Sequence, residues 1–185
     1  MGFLFWRPKL SYTCACCGKV YKGSPSFAYK KPSYYFDVPE EERDERVTIS
    51  DDLCHIRGKD GEADIYAIRG TLDIPIMGVK EPLCWGVWVT QSRQSFEKYV
   101  ETFKTDQSGE GSFGWLTVTM PYFDRSEPNE ELENLACDVK WGKKGQRPKI
   151  VVQACDHPLY HSQADGIDWD TAVSIAQAFL KVTHQ

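Results

Sequence analysis

Three cysteines crowd into four positions of the stretch SYTCACCGKVY, Ser11 to Tyr21, and a glycine follows them. Residues three apart on a tight turn aim two sulfurs at one centre, and a glycine there supplies the left-handed backbone such a turn uses. Cys14, Cys17 and Gly18 meet that requirement, with Cys16 left pointing elsewhere. A tetrahedral site takes four ligands, and no second CxxC is present to supply the rest. Cys54 is one single-residue candidate. Cys155 and His157 are another pair, two apart in ACDHPLYH and so on one face of a strand end. The set expected to hold a structural zinc is Cys14, Cys17, Cys54 and His157, with Cys155 in reserve.

Two other chemistries stay open. A thiol redox protein using Cys14 and Cys17 would show a depressed thiol pKa and a reversible disulfide, although the βαβ unit of a thioredoxin-like motif is not visible. A metal-assisted hydrolase would keep an open coordination position near His157 and His161. Cys155, Asp156 and His157 do not form a triad, because consecutive residues on a strand alternate faces. The chain contains no GxSxG, P-loop, HExxH or GxGxxG pattern. Cys84, Cys137 and Cys155 lie in or beside apolar strands, where cysteine packs as a small hydrophobe. The leading reading is therefore a non-enzymatic binding or interaction domain whose N-terminal segment is pinned by zinc. Its partner, a protein or a small molecule, is not legible.

Composition narrows the partners. A net charge of -5 argues against nucleic acid, whose phosphates call for a basic surface. The one basic cluster, VKWGKKGQRPK, alternates with Gly142, Gly145 and Pro148, and reads as a solvated hairpin tip. The N-terminus MGFLFWRPKL lacks the basic region and cleavage site of a signal peptide, and its sixth residue, Trp6, departs from the myristoylation pattern. No apolar run is long enough to cross a bilayer, so a cytoplasmic protein without membrane contact is expected. Seven cysteines, an odd number in a chain without an export signal, argue against a disulfide framework.

The elements that must position these residues read as one domain over 1–185. Residues 1–50 form the knuckle and an irregular arm rich in Pro and Tyr, and 51–185 form a body of strands and helices. PEEERDERV predicts a short helical turn. DLCHI, ADIYAIRGTLDIPI, CWGVWVT, GWLTVTM, CDVKW and KIVVQA are rich in β-branched and aromatic residues and bounded by turn residues. Asp60-Gly61 predicts a hairpin between the first two. SRQSFEKYVETF spaces Phe96, Tyr99, Val100 and Phe103 for a helix capped by Ser92; the C-terminal segment after Asp168 carries a second apolar stripe. The expected fold class is α+β, a mainly antiparallel sheet with two amphipathic helices. The tryptophans around glycine in WGVW and FGW read as core packing, since both faces of the WGVW strand look covered.

The knuckle is similar to those of rubredoxins and zinc ribbons, and the motifs in order resemble a family, the bacterial domain of unknown function 2199. They are CxxCG at Cys14 to Gly18, DLC at Asp52 to Cys54, RG at Arg69-Gly70, IPI at Ile74 to Ile76, WGVWV at Trp85 to Val89, GWL at Gly114 to Leu116, RP at Arg147-Pro148, DHPL at Asp156 to Leu159 and GI at Gly166-Ile167. The resemblance implies a cytosolic bacterial protein of no established activity with a zinc-ribbon-like knuckle, carried by Cys14 and Cys17. It ranks Cys54 and His157 above Cys155. Where it would place a histidine three positions after the knuckle glycine, this chain has Tyr21.

Overall fold

The computed structural model describes residues 10–123 and 135–183. The knuckle sits at the tip of a hairpin, β1 (Ser11–Thr13) and β2 (Val20–Lys22), with Tyr12 opposite Tyr21 and their rings stacked 5.1 Å apart. The arm is more regular than its prolines suggest. It holds a strand, β3 (Ser26–Ala28), and a helical turn, α1 (Tyr34–Asp37), before α2 (Glu40–Arg46), the turn expected from PEEERDERV.

The body runs β4 (Val47–Ile49), β5 (Leu53–Ile56), β6 (Ile65–Ile74), β7 (Leu83–Gln91), α3 (Arg93–Thr102), β8 (Gly111–Trp115), β9 (Ala136–Lys140), β10 (Lys149–Val152), α4 (Pro158–Asp165) and α5 (Trp169–Thr183). Local chemistry accounts for several boundaries. Asp60 and Gly61 take positive φ, 54° and 93°, in the turn that returns β5 onto β6. Ser92 Oγ accepts the Ser95 N–H at 3.1 Å to cap α3, and Asp168 Oδ1 accepts the Thr171 N–H at 2.7 Å at the start of α5. The expected strand GWLTVTM is shifted: β8 begins upstream at Gly111 and ends at Trp115, and Leu116 makes only an isolated bridge.

The fold is α+β, with five helices among the described residues, but its main sheet is mixed and not mainly antiparallel. β3 runs parallel to β7, and β10 parallel to β6. Both exceptions join strands far apart in sequence. Turn residues dictate direction only for strands joined by a short turn, so a crossover direction leaves no local signal.

β6 and β7 form the spine, paired from Tyr66–Gln91 to Ile74–Leu83. The outer edge of each is shared. β6 pairs β5 through Ile68 and then β10 at Thr71; β7 pairs β3 at 84–86 and then meets the end of β8. That last contact is the antiparallel bridge Val89–Leu116, backed by the Thr117 N–H on Trp88 O at 2.9 Å. Strands β7, β6, β10, β9 and β8 thereby close into a ring. The main core cluster joins Ile68, Leu72, Trp85, Val87, Cys137, Val139 and Ile150 of these strands to Tyr99 of α3, Leu159 of α4 and Ile175 of α5. A smaller cluster joins Tyr12 and Cys14 to Ala176 and Leu180 of α5.

Candidate functional site

The knuckle is built by hydrogen bonds at both ends. Gly18 N–H donates to Cys14 O at 2.9 Å, Cys14 N–H donates to Lys19 O at 2.8 Å, and Gly18 takes φ +71°. The loop is tied to α5 by one side chain: Gln177 Oε1 accepts the Ala15 N–H at 2.9 Å, and Gln177 Nε2 donates to Thr13 O at 2.6 Å.

Cys14 is buried against α5, whereas Cys16 and Cys17 are exposed. Burial pushes the Cys14 thiol up, but hydrogen bonds from the N–H groups of Cys17 and Cys16, and from their thiols, outweigh it and hold the pKa below its ordinary value. Burial and the neighbouring Cys14 raise the Cys16 thiol instead. The three sulfurs are thus unequal. Cys14 is the one prepared to carry negative charge, and Cys17 is the accessible neighbour that donates to it.

Of the residues expected to join the knuckle, Cys54 lies on β5 in the larger core cluster, opposite Ala67, and burial pushes its thiol up to about 11. His157 is extended, as the following proline demands, and its Nδ1 accepts the Leu159 N–H at 3.1 Å to cap α4. His161 Nε2 faces Asp156 Oδ1 at 3.5 Å on the same helix's exposed side, and Cys155 is exposed in the preceding turn. Among the described residues no three of His, Cys, Asp and Glu gather so as to hold a metal ion. Among the described residues Cys54 and His157 therefore do not join Cys14 and Cys17 in a common cluster.

Sequence reasoning passed over a second convergence. Asp52, Arg69 and Arg147 meet where the edge of β6 passes from β5 to β10. The Arg69 N–H donates to Asp52 O at 2.9 Å, Arg69 Nη1 to Asp51 O at 3.2 Å, and Arg147 Nε to Asp52 Oδ1 at 2.6 Å. Arg147, expected to solvate a hairpin tip, is instead a tether from the β9–β10 hairpin to the β4–β5 turn. The available signal was the motif trio DLC, RG and RP, whose members lie apart in sequence and adjoin only in space.

A family model described as "Uncharacterized protein conserved in bacteria (DUF2199)" matches residues 13–167. The matched segment takes in the knuckle, the Asp52–Arg69–Arg147 convergence and the His157 cap. No curated protein and no solved structure matches the chain. Among the described residues no helix is long and apolar enough to cross a membrane.

Proposed function

The chain belongs to the DUF2199 family, uncharacterised proteins conserved in bacteria, and from that premise we propose a non-enzymatic binding domain anchored by a structural zinc at Cys14 and Cys17. The supporting observation is the Cys14 sulfur. It is buried and hydrogen-bonded by two backbone N–H groups, an environment that favours thiolate over thiol. A zinc bound there would contribute folding free energy where the arm meets α5. Cys54 and His157 keep the packing and capping roles described above.

The test is metal content per chain, by plasma mass spectrometry on protein purified without a histidine tag, beside a Cys14→Ser, Cys17→Ser double variant. About one zinc in the parent and none in the variant is the expected result for a structural site, with a lower thermal midpoint in the variant. A zinc-free parent overturns it.

The lowered Cys14 pKa also favours a second reading, a dithiol. Cys14 and Cys17 would then give two electrons and two protons to a disulfide oxidant such as glutathione disulfide, forming their own disulfide and two thiols. Differential alkylation across pH separates the two. Zinc-free protein with Cys14 titrating below its ordinary value of 9.0 supports the dithiol; titration at the ordinary value removes it.

A further inference from the structure

Two large apolar side chains that the fold leaves in water line the same groove. Phe36 of α1 is 65% exposed, and Val182, in the last turn of α5, is 57% exposed. With Val118, Pro121 and Phe179 they make up the apolar part of the lining of a groove of about 680 Å³. That volume suits a small organic molecule. The lining comes from three segments far apart in sequence: the arm with α1, the stretch after β8, and the end of α5.

The polar lining decides the charge of an occupant. Its hydroxyls are already engaged within the protein: Tyr29 Oη donates to Thr119 O at 2.6 Å, and Ser33 Oγ to Thr117 O at 2.7 Å. At the carbonyl end of α5, the Thr183 hydroxyl bridges Phe179 O at 3.2 Å and Leu180 O at 3.3 Å. The charged side chains of the lining are Lys30, Lys31 and Asp37, so cations outnumber carboxylates by one. Lys31 Nζ lies over the Tyr35 ring at 3.5 Å, and neither lysine makes an ion pair among the described residues. The surrounding chain extends this bias. From Leu10 to Phe36 it carries Lys19, Lys22, Lys30 and Lys31 and no Asp or Glu, within a protein of net charge -5. Such a local positive surface attracts an anion and repels an ammonium ion. The single opposing carboxylate, Asp37, limits the complementary charge to one negative head.

We propose that this groove binds a small amphiphilic monocarboxylate. Its carboxylate accepts hydrogen bonds from the Lys30 and Lys31 ammonium groups, and its hydrocarbon body covers Phe36, Phe179 and Val182. This names a ligand class for the binding domain proposed above. The groove shares no residue with the knuckle, so zinc content and carboxylate binding stand or fall separately.

The experiment is a titration of the full chain with octanoate, and separately with 1-octanol and octylamine at the same ionic strength, followed by amide nitrogen–proton NMR. Octanoate is expected to shift amides in 28–37 and 179–183 saturably, with the alcohol about tenfold weaker and the amine leaving them in place. The double variant Lys30→Gln, Lys31→Gln should weaken octanoate about tenfold and leave the alcohol unchanged, a split that a general loss of fold does not produce. Phe36→Ser, at an exposed position, should weaken octanoate and the alcohol alike, by about fivefold. No saturable shift with octanoate, equal affinity for the alcohol or the amine, or parent-like affinity in the lysine double variant would each overturn the proposal. So would a dimer in sedimentation that Phe36→Ser dissolves, since a second copy of the chain would then fill the groove.

Discussion

At the Asp64 carboxylate, as at the Cys14 sulfur, backbone N–H groups favour the anion. Asp64 Oδ1 accepts the Gly58 N–H at 3.0 Å, and Oδ2 lies 2.8 Å from His55 Nε2 and 3.2 Å from Tyr66 Oη. The Gly58 N–H, and then His55, lower the carboxyl from 3.8 to about 2. A folded value below the unfolded one means that the stabilisation is complete above about pH 4 and is lost as pH falls toward 2. Thermal midpoints measured from pH 6 to pH 2 should therefore fall more steeply for the parent than for Asp64→Asn. Parallel curves would show that Asp64 contributes nothing in this window. This contact was hidden in sequence, because nothing at Asp64 announces a partner nine residues back on the neighbouring strand. The cysteine knuckle was legible because all its parts lie within five residues.

Among elements, the joint where β6 changes partner is closely packed. A Cβ built on Gly70 would meet Ile150 Cδ1 at 2.5 Å and Pro148 O at 2.9 Å, so this glycine lets β10 and the residue before it approach β6. Gly70→Ala is expected to cost about 2–3 kcal/mol through overpacking, read as a lower urea midpoint with unchanged slope. An unchanged midpoint would mean that the joint is loose. Elements with strong periodicity were visible in advance: α3 and α5 have the caps assigned to Ser92 and Asp168. α4 was not seen. Its eight residues are too few to display a period, and its signal was the pair His157 and Pro158, a cap followed by a first-turn proline that also reads as a loop. β3 was obscured by the prolines around it, and it exists because the edge of β7 offers hydrogen-bond partners at Cys84 to Gly86.

For the whole molecule, Trp85 links the layers. It is fully buried on β7, and its ring lies within 6.4 Å of the rings of Phe27 on β3, Phe123 and Phe179 on α5. Phe27 in turn packs against both the large core and the small cluster that carries Cys14. Trp85→Ala is expected to destabilise the fold by about 3–5 kcal/mol in chemical denaturation. It should also speed alkylation of Cys14, since the sulfur's cover on α5 depends on the same packing. Loss of stability with Cys14 protection intact would show that the hairpin is held independently, by Gln177 and its two hydrogen bonds to Ala15 and Thr13.

The sequence by itself determined the α+β class, the two capped amphipathic helices, the β5–β6 hairpin, the two-faced burial of WGVWV and the cysteine turn. Each depends on residues within a dozen positions of one another, where period, cap and turn chemistry act. The tertiary structure alone decided the parallel pairings, the closure of the ring at Val89 and Leu116, and the tether of Arg147 to Asp52. It alone set Val100, a stripe residue by spacing, on the wall of an open cleft. Those are contacts between segments tens of residues apart. Their partners are selected by how layers fit after collapse, and no local propensity encodes that fit.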